Sequence, residues 1–175
     1  MVEEKCVSVI DSLLVSPEEQ LTDARYTALV NLHKVLLDEF FDYVMASQLP
    51  NATPESMRSV KEKQLFARMW NNVIRLIDYL QDRSPESLEH HLRFQILAYS
   101  RLTMMLECIP SFADKWMTCL ADLARSGSSL DGDEDHTWAQ SAEFWSRCRQ
   151  NGDFPSVEAD DTIEAGDTVK DDLMV

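Results

Sequence analysis

The stretch SPESLEHHLRFQILAYSRLTMMLECI, residues 84–109, decides the fold of this chain. It opens with Ser84 at a helix N-cap position and Pro85 at the first helical position. An acid follows in the first turn, where the helix dipole favours negative charge. From residue 94 onward, apolar side chains occur nearly all round the helix, which is typical of a helix packed on several sides. The stretch therefore predicts a buried helix over residues 85–109.

The same helix-start signal occurs twice upstream, as Ser16-Pro17-Glu18-Glu19 and as Thr53-Pro54-Glu55-Ser56. Apolar residues at helical spacing follow each signal and predict helices over residues 17–48 and 54–82. The three starts are 37 and 31 residues apart, close to the period of a tetratricopeptide array. The helix bodies do not share that array's residue pattern, so we interpret the spacing as recurring start chemistry and not as an internal repeat.

The sequence after the third helix predicts two more helices. Ser111 is the expected N-cap of a fourth helix, directly after Pro110. A Ser/Gly/Asp-rich loop is predicted over residues 126–135. A short helix carrying Trp138 and Trp145 follows. Two tryptophans seven apart can anchor a bound peptide, but the pattern favours packing into the core of a helical hairpin.

Composition divides the chain into three parts. Residues 1–16 are predicted to form a short helix or arm, residues 17–150 one helical domain, and residues 151–175 a disordered acidic tail. All four glycines lie after residue 126, so the preceding sequence has no phosphate-cradling loop, dinucleotide turn or nucleophile elbow. The fold prediction is an all-α, antiparallel helical stack.

The net charge of −15 is concentrated at the two ends of the chain. Residues 1–23 carry six acids and one base, and residues 131–175 carry thirteen acids and three bases. The body between them, residues 24–130, has twelve of each sign. Because nucleic-acid binding depends on clustered Lys and Arg, this distribution predicts against tight binding of DNA or RNA.

The sequence shows no signal peptide and no membrane span, and this predicts a location in the cytoplasm or nucleus. The N-terminus is acidic where a signal peptide needs positive charge. The apolar stretch after residue 94 contains Arg101 and Glu107 and is shorter than the ~20 residues of a membrane span. Four cysteines without a CxxC pair are typical of reduced thiols. We therefore expect an intracellular protein without a membrane partner.

One basic patch is a candidate binding site. Arg68 and Arg75 are seven residues apart and share a helix face, which suits two arms of a phosphopeptide clamp, and Arg101 could supply a third donor. The alternative is a solvated face with local ion pairs, as in most charge runs. The bases of this patch are Arg58, Lys61, Lys63, Arg68 and Arg75, facing only Glu55 and Glu62.

Other reactive residue types have a structural interpretation. Glu89-His90-His91 lacks the i, i+4 spacing of a zinc-binding histidine pair, and His33 and His136 have no partners at ligand spacing. Cys108 and Cys119 lie among apolar residues, where a thiol is usually inert packing. We therefore predict no catalytic residue, no cofactor and no metal site.

Several runs of the sequence match a pattern shared by one protein family. The runs are Ala24-Arg25-Tyr26-Thr27, Leu29-Val30-Asn31-Leu32-His33, Ala67-Arg68-Met69-Trp70, Ser87-Leu88-Glu89-His90, Leu97-Ala98-Tyr99-Ser100, Ile109-Pro110-Ser111-Phe112, and Trp116 with Cys119-Leu120-Ala121-Asp122-Leu123-Ala124-Arg125. Together they resemble the helical domain of a fungal protein group placed with the Est/Smg adaptors of telomerase activation and nonsense-mediated mRNA decay. The resemblance covers about residues 24–148.

The resemblance implies a 14-3-3-like, tetratricopeptide-related stack that binds protein ligands, phosphorylated in some members. The family's domain label also mentions DNA and RNA binding. Arg68 sits in a matched run, so the resemblance implies a phosphate contact there, whereas Arg75 rests on spacing alone. Ala121 stands where the family has glycine and Ser126 where it has tyrosine, which indicates a shortened or divergent member.

Two functions remain open from the sequence. The first is a non-enzymatic adaptor that binds protein or phosphopeptide ligands, as the resemblance implies for RNA surveillance or telomere biology. The second is a degenerate helical scaffold without a conserved ligand. An enzyme is the third and weakest hypothesis.

Overall fold

The computed structural model describes residues 2–15, 21–54, 64–130 and 136–152. Within these ranges the regular structure is entirely helical, which confirms the all-α prediction, and residues 2–15 form a short helix. Two short 3₁₀ segments, Pro110–Phe112 and Ser128–Leu130, follow the fourth and fifth helices. The α-helices bounded within the described residues are α1 (Val2–Val15), α2 (Asp23–Ser47), α3 (Leu65–Gln81), α4 (Leu88–Cys108), α5 (Ala113–Gly127) and α6 (Thr137–Asn151).

The first predicted helix start is wrong. Thr22 has extended backbone (φ −74°, ψ 157°) and is the N-cap of α2, so a continuous helix over residues 17–48 does not form. The backbone N–H groups of Arg25 and Tyr26 both donate to the carbonyl of Thr22. The predicted cap at Ser16 lies outside the described residues.

The second predicted helix does not run unbroken to residue 82, although Pro54 at its predicted start is helical. Gln64 adopts the left-handed conformation with φ 48°, which a right-handed helix of L-residues does not continue through. A single helix over residues 54–82 is therefore wrong, and α3 begins only at Leu65. Residues 55–63, which include Arg58, Lys61 and Lys63, lie outside the described part of the chain.

The third and fourth starts are displaced by a few residues. Residues 82–87 form turns and α4 begins at Leu88, because the hydroxyl of Ser87 donates to the carbonyl of Leu80 on the preceding helix. Ser111 lies within a 3₁₀ turn, and its hydroxyl donates to Gln48 Oε1 at 3.3 Å, so it is not the N-cap of α5. At Ser111 a contact outside the helix takes the predicted capping hydroxyl, whereas the predicted cap Ser84 lies within the turns that precede α4.

Helix directions follow from contacts between distant residues. Glu3 and Asp11 of α1 pair with Arg68 and Arg75 of α3 in the same order, so these two helices are parallel. Asp23 and Asp38 of α2 pair with His90 and Arg101 of α4, also in the same order. Glu3 and Glu39 line one cavity and Leu13 and Leu21 line another, so α1 is antiparallel to α2. The chain therefore alternates in direction, with α1 beside α3 and α2 beside α4.

The helix α4 is the centre of the stack, as its all-round apolar pattern predicts. It contacts α2, α3 and α5. Its side chains Phe94, Ala98, Leu102 and Met105 are all fully buried. The prediction of a helix packed on several sides is confirmed.

The helices α5 and α6 form a hairpin that closes one end. Trp145 is buried, and its Nε1 donates to Tyr99 Oη at 2.7 Å. The Trp138 ring lies edge-on to Tyr99, with ring centroids 5.4 Å apart. Both tryptophans therefore pack against Tyr99 of α4. The predicted loop begins later than expected, because Ser126 and Gly127 still belong to α5.

Gly127 permits the close approach of this hairpin to α4. A Cβ there would lie 2.6 Å from Gln95 Nε2 and 2.7 Å from Trp138 Cδ2, closer than packed atoms come.

No helix among the described residues has the length and apolarity to cross a membrane. Residues 153–175, and with them the predicted acidic tail, lie outside the described residues.

Candidate functional site

The candidate site is the α1–α3 seam, defined here by Glu3 and Asp11 of α1 and Arg68 and Arg75 of α3. Arg68 donates through Nε to Glu3 Oε1 at 3.0 Å and through Nη2 to Glu3 Oε2. This two-pronged arrangement is the geometry with which a guanidinium recognises a carboxylate or a phosphate. The hydrogen bond to Glu3 raises the pKa of Arg68 above its ordinary value.

The second ion pair lies two helical turns along the seam. Arg75 donates through Nη2 to Asp11 Oδ1. The Asp11 side chain is 57% exposed and that of Glu3 only 18%, so the Glu3–Arg68 pair is the less hydrated of the two. The pKa of His33 is lowered mainly by burial, and the charge of Arg75 also contributes.

Two buried side chains hold α1 against the rest of the molecule. Cys6 and Ile10 are four residues apart on α1, so they project from one helix face, and both are buried. The Cys6 thiol lies 3.9 Å from the carbonyl oxygen of Leu32 on α2. Burial raises the pKa of Cys6 to about 11, so this thiol is protonated at neutral pH and packs as a small apolar group.

Cavities flank α1 on both sides. One of about 370 Å³ lies between α1 and α2, with Val9, Leu13 and Leu29 in its wall. Another of about 210 Å³ lies where α1, α2 and α3 meet and includes Glu3 and Arg68. An open groove of about 500 Å³ runs along the outer side of the seam beside Arg68 and Asp11. The packing of α1 on its neighbours is therefore incomplete.

The structure places Arg101 in a different ion-pair cluster. Its Nη2 lies 2.8 Å from Asp38 Oδ1 on α2, and Asp38 also accepts from Lys34 Nζ at 3.1 Å. Arg68 and Arg75 instead pair with α1. The seam therefore brings together two of the three arginines that the sequence nominates.

A second groove, of about 380 Å³, lies between α3 and α5. Phe66, Trp70 and Lys115 line it. The rings of Phe66 and Trp116 lie 4.5 Å apart, and Lys115 Nζ lies 4.7 Å from the Phe66 ring centroid. The groove therefore has a packed aromatic floor, with one cation at its edge.

The histidines lie between helices. His33 Nδ1 donates to the Leu29 carbonyl oxygen at 2.9 Å, and His90 Nε2 lies 2.9 Å from Asp23 Oδ1. Burial lowers the pKa values of His33 and His91 below the ordinary value, so the neutral rings are favoured. Among the described residues, no three His, Cys, Asp or Glu side chains gather at ligand distance.

The thiols named in the sequence differ in environment. Cys119 is buried, and burial raises its pKa to about 12. Such a thiol is not a nucleophile at neutral pH. Cys108 is exposed at the end of α4, which corrects the expectation that it packs among apolar neighbours.

Sequence reasoning missed the acidic partners of the two arginines. Glu3 and Asp11 lie 65 and 64 residues away from Arg68 and Arg75 in sequence. A signal was present, because Glu3, Asp11 and the two buried residues of α1 fall at helical spacing on adjoining faces.

No protein-family model, curated protein or solved structure matches this chain.

Proposed function

We propose that the chain is a non-enzymatic adaptor that binds acidic or phosphorylated protein segments through Arg68 and Arg75. The observation that carries the proposal is the two-pronged contact of Arg68 with the Glu3 carboxylate. In the proposed complex, a carboxylate or phosphate of the ligand takes the position of the Glu3 carboxylate. Arg75 adds a second charge on the same helix face.

The proposal includes the family named above. The alternation of helix direction and the pairing of α1 with α3 and of α2 with α4 support a 14-3-3-like or tetratricopeptide-like stack. On this basis we propose an Est/Smg-type adaptor of the cytoplasm or nucleus, with a role in nonsense-mediated mRNA decay or telomerase activation.

A pull-down with matched phosphorylated and unphosphorylated peptide libraries tests the ligand class. We expect phosphate-dependent retention by the full chain, abolished by Arg68→Glu and weakened by Arg75→Glu. Arg101→Glu tests the third predicted donor. The matched control is Arg93→Glu on α4, because Arg93 is an exposed arginine that pairs only locally with Glu89 at 3.3 Å. Equal retention of both libraries would contradict the phosphopeptide proposal.

The second candidate function is a degenerate scaffold without a ligand. The occupation of Arg68 and Arg75 by carboxylates of the same chain favours it, because ion pairs within a fold need no external ligand. This hypothesis expects no peptide of either library to be retained and no change on Arg68→Glu.

We also propose that the chain alone does not bind DNA or RNA tightly. Residues 24–130 carry no excess of positive charge, and Arg68 and Arg75 are each paired with an acid. Neutralising several phosphates needs a clustered excess of Lys and Arg. A fluorescence titration with single- and double-stranded oligonucleotides at near-physiological salt checks this, and sub-micromolar binding would show the proposal wrong.

A further inference from the structure

We infer that the groove between α2 and α3, in which α1 lies, is a docking site for an acidic amphipathic helix of a partner protein that takes the place of α1. The inference rests on the proposed function, since it concerns the same two arginines, and it specifies the partner. The seated α1 serves as a template for what this groove accepts.

The template has two parts. Its apolar part consists of Cys6 and Ile10, which are four residues apart and both buried, with Val2 and Leu13 partly buried against the core. Its charged part consists of Glu3 and Asp11, which are eight residues apart, or about 12 Å along a helix. Arg68 and Arg75 are seven residues apart, or about 10.5 Å. The charge spacing of the two helices therefore matches.

The contacts also fix the direction of the ligand. Because Glu3 pairs with Arg68 and Asp11 with Arg75, the bound helix runs parallel to α3. The partner is thus a helix whose acidic side chains, carboxylate or phosphate, lie about two turns apart and bracket a small apolar pair. Helices with such spaced anchors commonly bind in grooves of this kind.

The hold of α1 on its groove is weak enough for exchange. Among the described side chains of α1, Cys6 and Ile10 are buried and Val2 and Leu13 are partly buried against the core, whereas α4 buries eight residues. Cavities of about 370 Å³ and 210 Å³ lie against α1. The two ion pairs are partly hydrated. Ion pairs that water and salt can screen contribute little to the free energy that holds α1 in place.

The test uses the full chain and a labelled, capped peptide with the sequence of residues 2–15. In a fluorescence anisotropy titration, the variant Glu3→Lys/Asp11→Lys should bind this peptide at least about tenfold more tightly than the wild type, because its own α1 competes less. The variant Arg68→Glu/Arg75→Glu should not bind it. A peptide carrying Glu3→Lys and Asp11→Lys should bind that variant, which shows that the variant is folded.

Two control peptides define the specificity. A peptide with Ile10→Asp keeps the charges that face Arg68 and Arg75 and should lose binding, since it removes an apolar anchor. A scrambled peptide of the same composition should also fail to bind. Saturable binding of the scrambled peptide, or the absence of binding to every variant, overturns the inference. A stable dimer that Ile10→Asp dissociates would assign the groove to a second copy and would also overturn it.

The result separates this inference from the proposed function. If the α1 peptide binds and no phosphopeptide library is retained, the acidic-helix site stands and the phosphate part of the proposed function fails. If phosphopeptides are retained through Arg68 and the α1 peptide does not bind, the proposed function stands and the helix-docking inference fails.

Discussion

The α1–α3 seam and the α4–α5 interface are held together by different forces. Leu102 of α4 and Trp116, Leu120 and Leu123 of α5 are fully buried. The polar Gln95 is also fully buried there, and its Nε2 donates to the Leu123 carbonyl. This side of the molecule is stabilised mainly by removal of apolar surface from water.

At the seam, partly hydrated charges meet instead, and cavities lie beside them. Among the described side chains of α1, only Cys6 and Ile10 are buried there, and Val2 and Leu13 are partly buried. The difference indicates that the α4–α5 side sets the stability of the fold, whereas the seam is the part that opens at low cost. Functional exchange is therefore expected at the seam.

The largest expected effect comes from truncating a buried aliphatic side chain to alanine, once in α4 and once in α1. Leu102→Ala removes a fully buried leucine from α4 and should lower the free energy of unfolding by about 2–5 kcal/mol. Ile10→Ala should cost less, because its effect is limited to the docking of α1 beside an existing cavity. Urea denaturation measures both, and Ile96→Ala, at a 60% exposed position of α4, is the control within about 0.5 kcal/mol. Equal losses at positions 102 and 10 would contradict the comparison.

The second effect concerns the closeness of packing at the α5–α6 hairpin. Gly127→Ala places a Cβ against Gln95 and Trp138 and should cost about 1–3 kcal/mol through overpacking. Gly152→Ala is the matched control, because its Cβ would meet nothing within 4 Å and only the backbone φ of +68° opposes it. Near-ultraviolet circular dichroism should change for Gly127→Ala alone. An unchanged aromatic spectrum there would show that the hairpin is loosely packed.

The helices of this fold could be predicted from sequence, but the starts of α2, α4 and α5 could not. Periodicity of apolar residues reports which face is buried, and this holds along α4 from Phe94 to Met105. A capping signal is local, however, and says nothing of competing partners. The Ser87 hydroxyl bonds the carbonyl of Leu80, seven residues back, and Ser111 bonds Gln48 of α2. Such contacts exist only once the helices have packed.

The candidate site shows the same limit. Helical spacing was sufficient to place Arg68 and Arg75 on one face. Their carboxylate partners come from α1, more than sixty residues away, and only the packing of α1 against α3 brings them together. The pairing of Arg101 with Asp38 likewise follows from the packing of α2 against α4 and not from the spacing of residues along either helix.

A third effect is a loss of stability in mild acid. Burial holds the pKa values of His33 and His91 below the ordinary value near 6.5. Below that pH the histidines of the unfolded chain bind protons that those of the folded chain do not. The free energy of unfolding is therefore highest above about pH 7 and decreases as the pH falls. The slope is at most about 1.4 kcal/mol per pH unit for each histidine.

Urea denaturation between pH 7 and 5 measures this slope. His33→Gln and His91→Gln should each flatten it, and His136→Gln, at an exposed position, should leave it unchanged. A stability that rises as the pH falls, or slopes that all three variants share with the wild type, would show that buried neutral histidines do not govern the acid response.

The smallest effect is the coupling across the seam, measured by double-mutant cycles. For Arg75→Gln with Asp11→Asn, both side chains are substantially hydrated, so the coupling should lie near the low end of about 0.2–1 kcal/mol. For Arg68→Gln with Glu3→Gln it should be larger, because Glu3 is mostly shielded and receives two donors. In about 1 M salt the Debye length shrinks to about 3 Å, so both couplings should fall. Couplings of several kcal/mol that salt does not reduce would place the seam with the buried core, and a partner helix could not then displace α1 at low cost.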